Sequence, residues 1–144
     1  MSRYIQKRKT YVLALVSFFI LYLFSFSTVV AQSKPWPVPA QASSTKSPLA
    51  NDAATIKEGM TVYQSFCSPC HGNKGKGDGV AAAALTIKPA DHTSAAMLNE
   101  TDGSLFYKIS EGRTPMPQYK TALTETQRWE LVAFIRTLNK GSKK

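Results

Sequence analysis

Apolar residues are distributed along this chain in three regimes. A continuous apolar run, Tyr11 to Ala31, comes first. Residues 32–51 then show no period, and from about residue 55 onward apolar positions return every three to four residues. In this last region Ile56, Met60, Tyr63 and Cys67 stand at i, i+4, i+7 and i+11, the spacing of one helical face. Thr55-Ile56-Lys57-Glu58 reads as a capping box with Thr55 at the N-cap, so a first helix is predicted to begin there. A second stripe comprises Leu131, Phe134, Ile135 and Leu138, with Trp129 and Val132 beside it. It follows another capping box, Thr124-Glu125-Thr126-Gln127, and Gly141 supplies a stop. A short helix is predicted from Thr101-Asp102 to Gly112 around Leu105, Phe106 and Ile109, and another in the alanine-rich stretch Gly79 to Leu85. No run alternates with period two, so strands should be few or absent and the fold class is all-α.

The first regime changes the picture of organisation. Arg3, Lys7, Arg8 and Lys9 precede the apolar run, and Val29-Val30-Ala31 places short side chains before Gln32, the pattern of an export signal with its cleavage site. The run also has the length of a bilayer-spanning helix, about 20 residues. Ser17, Ser25, Ser27 and Thr28 make it more polar than an anchor and favour cleavage. Either way the positive head stays in the cytoplasm. The rest is then expected to be exported, periplasmic or tethered to the outer face of the membrane. Residues 1–31 are thus signal peptide or anchor. Residues 32–51, with Pro35, Pro37, Pro39 and Pro48, read as a mobile Pro/Ser/Ala-rich linker, and 52–144 as one domain.

Charge adds little to this. The chain has 18 basic and 9 acidic side chains, and the N-terminal head takes four of the basic ones. No Lys/Arg block or nucleic-acid module is present, so nucleic acid is not an expected partner. The remaining excess suits a solvated surface that docks acidic partners.

The chemistry concentrates in Cys67-Ser68-Pro69-Cys70-His71, the C-x-x-C-H attachment signature of c-type haem. Two thiols separated by two residues reach the two vinyl groups of one porphyrin edge, and the adjoining histidine is held beneath the iron. A dithiol redox motif would follow a strand, and no strand is predicted before Cys67. A zinc site would need more ligands than two cysteines and two histidines in this arrangement, since His92 stands in a loop-like stretch without a second ligand pair. A disulfide across two residues would be strained. With both cysteines taken there is no staple for a small domain whose single core is marginal, so the haem-free chain is expected to be largely unfolded.

With these residues in view the sequence resembles class I cytochromes c, small all-helical mono-haem electron carriers, in their bacterial exported form. The resemblance runs from about Thr55 to Leu138. Gly59 and Tyr63 match the family's glycine and aromatic on the first helix, and Phe134 its aromatic on the last. The resemblance implies N- and C-terminal helices crossing around one covalent haem c, Cys67 and Cys70 as its thioethers, and His71 and Met116 as axial ligands of its iron. Met116 lies between Pro115 and Pro117, which stiffen it. Met97 is its rival, Met60 is expected to pack on the first helix, and His92 is expected to be solvated rather than a second axial imidazole. The glycine-rich loop Gly75-Lys76-Gly77-Asp78-Gly79 resembles a bacterial subgroup in which a nearby backbone carbonyl accepts the ligand imidazole's proton. Val80 replaces a proline common there.

The implied function is electron transfer between respiratory redox proteins outside the cytoplasmic membrane, by a carrier that is not itself an enzyme and is a monomer or a complex subunit. Membrane association would run through the N-terminal segment. The alternatives are a haem subunit of a larger oxidoreductase, or a haem enzyme or ligand-binding protein with an open distal site. Lys74, Lys76, Lys88, Lys108 and Lys120 are candidates to ring the haem edge.

Overall fold

The computed structural model describes residues 35–140; the signal-or-anchor segment and Gly141 lie outside them. The chain divides into Met1–Trp36 and Pro37–Lys144, and all elements below belong to the second unit. They are α1 (Ala40–Ser44), α2 (Ala53–Phe66), α3 (Ser68–His71), a 3-10 turn (Ala82–Ala84), α4 (Ala95–Leu98), α5 (Asp102–Glu111) and α6 (Glu125–Lys140). Among the described residues there is no strand; the one β-type pairing is an isolated bridge between Arg113 and Met116.

The most extensive packing joins α2 to α6. It depends on Gly59, where any Cβ would overlap the Glu130 carbonyl and lie 3.0 Å from the Phe134 Cβ. A glycine costs a helix about 1 kcal/mol relative to alanine, and here its missing side chain admits the facing backbone. Next to the crossing Tyr63 and Phe134 meet with ring centroids 5.0 Å apart. Leu131, Val132 and Ile135 complete the seam and join Leu105 and Ile109 of α5 in one core. Phe106 of α5 stacks on Trp129 of α6 at 4.1 Å. Arg136 ties α6 to the α4–α5 corner through Asp102 at 2.7 Å and the Met97 carbonyl at 3.0 Å.

The α6 capping box forms in both directions. The Gln127 amide donates to Thr124 Oγ1 at 3.2 Å, and the Thr124 amide donates to Gln127 Oε1 at 3.0 Å. Thr101 caps α5 and Gly112 ends it, as the sequence predicts. The first long helix differs: it begins before Thr55, with Asp52 as its cap accepting from the Thr55 amide at 2.8 Å. Its buried face is Gly59, Val62 and Tyr63, and Met60 is 38% exposed rather than packed. The Gly59 crossing sets that face. The helix predicted from Gly79 to Leu85 is reduced to the 3-10 turn, and α1 and α4 were not anticipated.

α1 lies inside the stretch read as linker. It packs across α5 at Gly103, where a Cβ would lie 2.7 Å from the Thr45 carbonyl oxygen and overlap that of Ala42. Thr101 Oγ1 donates to the Ser43 carbonyl at 2.6 Å, and Leu49 packs on the core. Composition alone hides this docking, because backbone carbonyls and a small gap in α5 hold the segment rather than apolar side chains.

Candidate functional site

Cys67 ends α2, and Ser68 to His71 make one further helical turn, α3, with Pro69 in its first turn. The chain thus continues from one helix into the next, and the amides of Cys70 and His71 both donate to the Cys67 carbonyl, at 3.2 and 2.8 Å. This turn brings Cys67, Cys70 and His71 together at one end of α2. Both cysteines are unpaired thiols. Burial, then the neighbouring Cys70, pushes the Cys67 thiol up to about 12.

The glycine-rich loop wraps the exposed end of α3. The amides of Gly77 and Gly79 donate to the carbonyls of His71 and Cys70 at 2.8 and 3.1 Å, and Ala81 to that of Pro69 at 2.9 Å. The loop then hands over to 89–93, where the decisive contact lies: His71 Nδ1 donates to the Ala90 carbonyl at 3.0 Å. A carbonyl only accepts, so the proton sits on Nδ1 and Nε2 is left bare for a metal. Burial holds the His71 imidazole below its usual pKa, with the Ala90 bond opposing. The acceptor is braced by Asp91, whose Oδ1 takes the Thr93 amide at 2.7 Å and the Thr93 hydroxyl at 2.6 Å. The carbonyl is therefore Ala90's, well beyond Val80, which is 94% exposed.

His92 is not solvated, contrary to expectation. It is 7% exposed and stacks on His71 with centroids 4.2 Å apart and an 18° interplanar angle. Two imidazoles lying face to face leave no room for a metal between their nitrogens in this arrangement. Tyr63 links His92 to the chain just after His71, its hydroxyl 3.1 Å from the Gly72 carbonyl and 3.3 Å from His92 Nδ1. Burial, then the cost of setting a second charged imidazole against His71, brings His92 down to about 3.

Met116 sits in a tight turn closed by two backbone bonds with Arg113, at 3.0 and 2.8 Å. Its side chain packs half-buried against the core, whereas Met97 is buried within it. The segment is fastened just beyond the turn, at Tyr119 and Lys120. The amides of Tyr119 and Lys120 donate to the α5 carbonyls of Ile109 and Ser110, each at 3.2 Å. The Tyr119 hydroxyl donates to the Phe66 carbonyl at 2.9 Å, one residue before Cys67. Burial, with Cys67 and Cys70 nearby, pushes the Tyr119 phenol up to about 12. Tyr119 and Ala90 are not legible in the sequence, and His92 reads there as a solvated loop residue. Two of them act through a backbone oxygen, and none carries a spacing signal. Of the candidate lysines, Lys108 and Lys120 are engaged with Glu100 and Glu111, while Lys74, Lys76 and Lys88 are exposed.

A family model described as cytochrome C oxidase, cbb3-type, subunit III matches residues 54–135, the stretch that holds Cys67, Cys70, His71 and the α2–α6 crossing. The chain belongs to this family. Its cofactor is haem c with iron. The residues brought together at the end of α2 fit that group: two thiols and an imidazole whose Nε2 is left bare. The cytochrome is also similar to a chain of the Kuenenia stuttgartiensis reducing HAO-like protein complex Kustc0457/Kustc0458, with 28% identity and a TM-score of 0.57. That similarity covers 81% of this chain and 56% of the other, so this chain spans little more than half of its relative's length. A second similar structure is the KustC0563 c-type cytochrome, with 26% identity, 56% of this chain and 95% of the other covered, and a TM-score of 0.48. No curated protein matches the sequence.

Proposed function

We propose that this cytochrome is a one-electron carrier whose single haem is bonded to Cys67 and Cys70 and ligated by His71 and Met116. The observation that carries the reading is the His71–Ala90 bond, which leaves Nε2 unprotonated directly beside the second attachment cysteine. When bound, the haem supplies reversible Fe(III)/Fe(II) exchange. The protein's part is to hold it still. The thioether positions fix one porphyrin edge, and the Ala90 carbonyl sets the imidazole tautomer. The 113–116 turn, fastened through Tyr119, presents the methionine. A site closed on both sides by protein ligands admits no substrate to the metal, which is why a carrier is favoured over an enzyme with an open distal position.

The setting is proposed on the same basis as in the sequence: an exported domain, periplasmic or tethered through residues 1–31, meeting acidic redox partners through Lys74, Lys76 and Lys88. A second reading, a fixed subunit of a larger oxidoreductase assembly, draws support from the similarity to a chain of a multi-protein complex. The test is spectroscopic. Purified protein should give a c-type pyridine haemochrome and, when oxidised, the near-infrared band of iron–methionine ligation, which Met116→Ala abolishes. Without a haemochrome the proposal fails; high-spin ferric haem that takes up carbon monoxide on reduction would replace it with the open-site alternative. Co-purification with stoichiometric partners would favour the subunit reading.

A further inference from the structure

We infer that His92 is a positioning residue for His71: its ring lies flat against the ligand imidazole and fixes the plane in which that imidazole meets the iron. The inference rests on His71 being the iron's histidine. One hydrogen bond, from Nδ1 to the Ala90 carbonyl, fixes where that nitrogen points but leaves the ring free to rock about the bond. The remaining freedom is removed by a flat neighbour, and His92 supplies one at 4.2 Å and 18°.

His92 is itself held from several directions. Its amide donates to the Gly75 carbonyl at 2.6 Å. Gly75 has φ +72°, and a Cβ there would lie 3.0 Å from the His92 Cβ and 2.8 Å from Leu138 Cδ1, so the glycine opens the space that His92 fills. Tyr63, fully buried on α2, meets the ring edge-on at 5.9 Å and reaches Nδ1 with its hydroxyl at 3.3 Å. An aliphatic side chain would fill this volume without the desolvation cost of a polar ring. What histidine adds is a planar face whose orientation is anchored by Tyr63. The chain from α2 through Tyr63 and His92 to His71 ties the ligand plane to the helix that carries Cys67. Partners behind a metal ligand commonly tune the metal as strongly as the ligand's own environment does.

The orientation of the axial ring decides which iron orbital holds the unpaired electron of low-spin ferric haem, and so the order and spread of the haem-methyl proton shifts. Wild-type protein, shown by pyridine haemochrome to carry haem, is compared with His92→Phe, which keeps a flat ring, and His92→Leu, which fills the space without one. Thermal unfolding is followed alongside. His92→Phe is expected to retain the wild-type shift pattern and His92→Leu to show a reordered or narrowed one. A wild-type pattern in His92→Leu, or equal displacement in both variants, overturns the role. If His92→Leu fails to fold, His92→Phe decides alone: a wild-type pattern supports the role and a displaced one overturns it. Wild-type protein without haem would instead remove the reading on which this one rests.

Discussion

At the scale of single residues, the site is held by atoms that sequence reading passes over. Cys67, Cys70 and His71 are legible because thioether chemistry fixes their spacing. The groups that orient them are not, because a main-chain oxygen such as Ala90's belongs to every residue type and carries no signature. His92 reads as a loop histidine until the fold brings Gly75 and Tyr63 around it. Tyr119 behaves in the same way. Its hydroxyl bonds the Phe66 carbonyl, so Tyr119→Phe removes one anchor of the Met116 turn. The loss should be about 1 kcal/mol of stability, typical of one hydrogen bond, read as a lower midpoint in denaturant. The near-infrared methionine band should also weaken at lower denaturant than in wild type. Asp52 offers a pH handle. Hydrogen bonds from Thr55, the backbone one foremost, hold its carboxyl below the ordinary aspartate range in the folded state. Its stabilisation is therefore complete above that ordinary range and is lost as pH falls through the depressed folded value. Asparagine caps as well but does not titrate. Thermal melts across the acid range should show wild type losing stability relative to Asp52→Asn, and parallel curves would contradict this.

At the scale of elements, periodicity found the helices and packing corrected their faces. The last helix was readable to its cap, because Thr124 and Gln127 form a local motif and the stripe from Trp129 to Leu138 is long. The first was read correctly at Ile56, Tyr63 and Cys67 but not at Met60, which fits the helical spacing yet is exposed, while Gly59 beside it is buried and its value lies in what it lacks. Gly59→Ala weighs two effects. Helix propensity favours alanine by about 1 kcal/mol, while overpacking against the Glu130 carbonyl costs about 1–3 kcal/mol. The second should win, and the variant should melt below wild type with its haem spectrum retained. A higher melting temperature would show that the crossing relaxes more easily than its geometry implies. The segment around α1 teaches the complementary lesson. Proline- and serine-rich composition predicts a free tether, yet Ala42, Ser43 and Thr45 dock through backbone groups on Thr101 and Gly103.

At the scale of the whole molecule, the domain is small, has no disulfide among the described residues, and under the proposed function commits both cysteines to a cofactor. A core of this size is marginal by area alone, and a bound porphyrin would supply apolar bulk that the chain lacks. Expressed as Cys67→Ala/Cys70→Ala, the exported protein should lose most of its far-UV helical signal; full native helicity would show that the α2–α6 seam folds without the cofactor. The all-helical architecture was legible from the absence of period-two runs. The convergence of three separated segments, 67–71, 89–93 and 113–119, was not, because it comes from loops wrapped around helix ends.

The oxygen that steers His71 belongs to the peptide unit at Ala90, and that has a genetic corollary. Point replacements at position 90 exchange a side chain and leave the acceptor standing, so the His71 imidazole is insulated from the commonest kind of change at this spot. Inserting or deleting a residue between Val80 and Lys88 would instead slide a different carbonyl toward the ring. In this molecule the length of that loop, more than the identity of any residue in it, is the inherited setting that keeps the imidazole aimed.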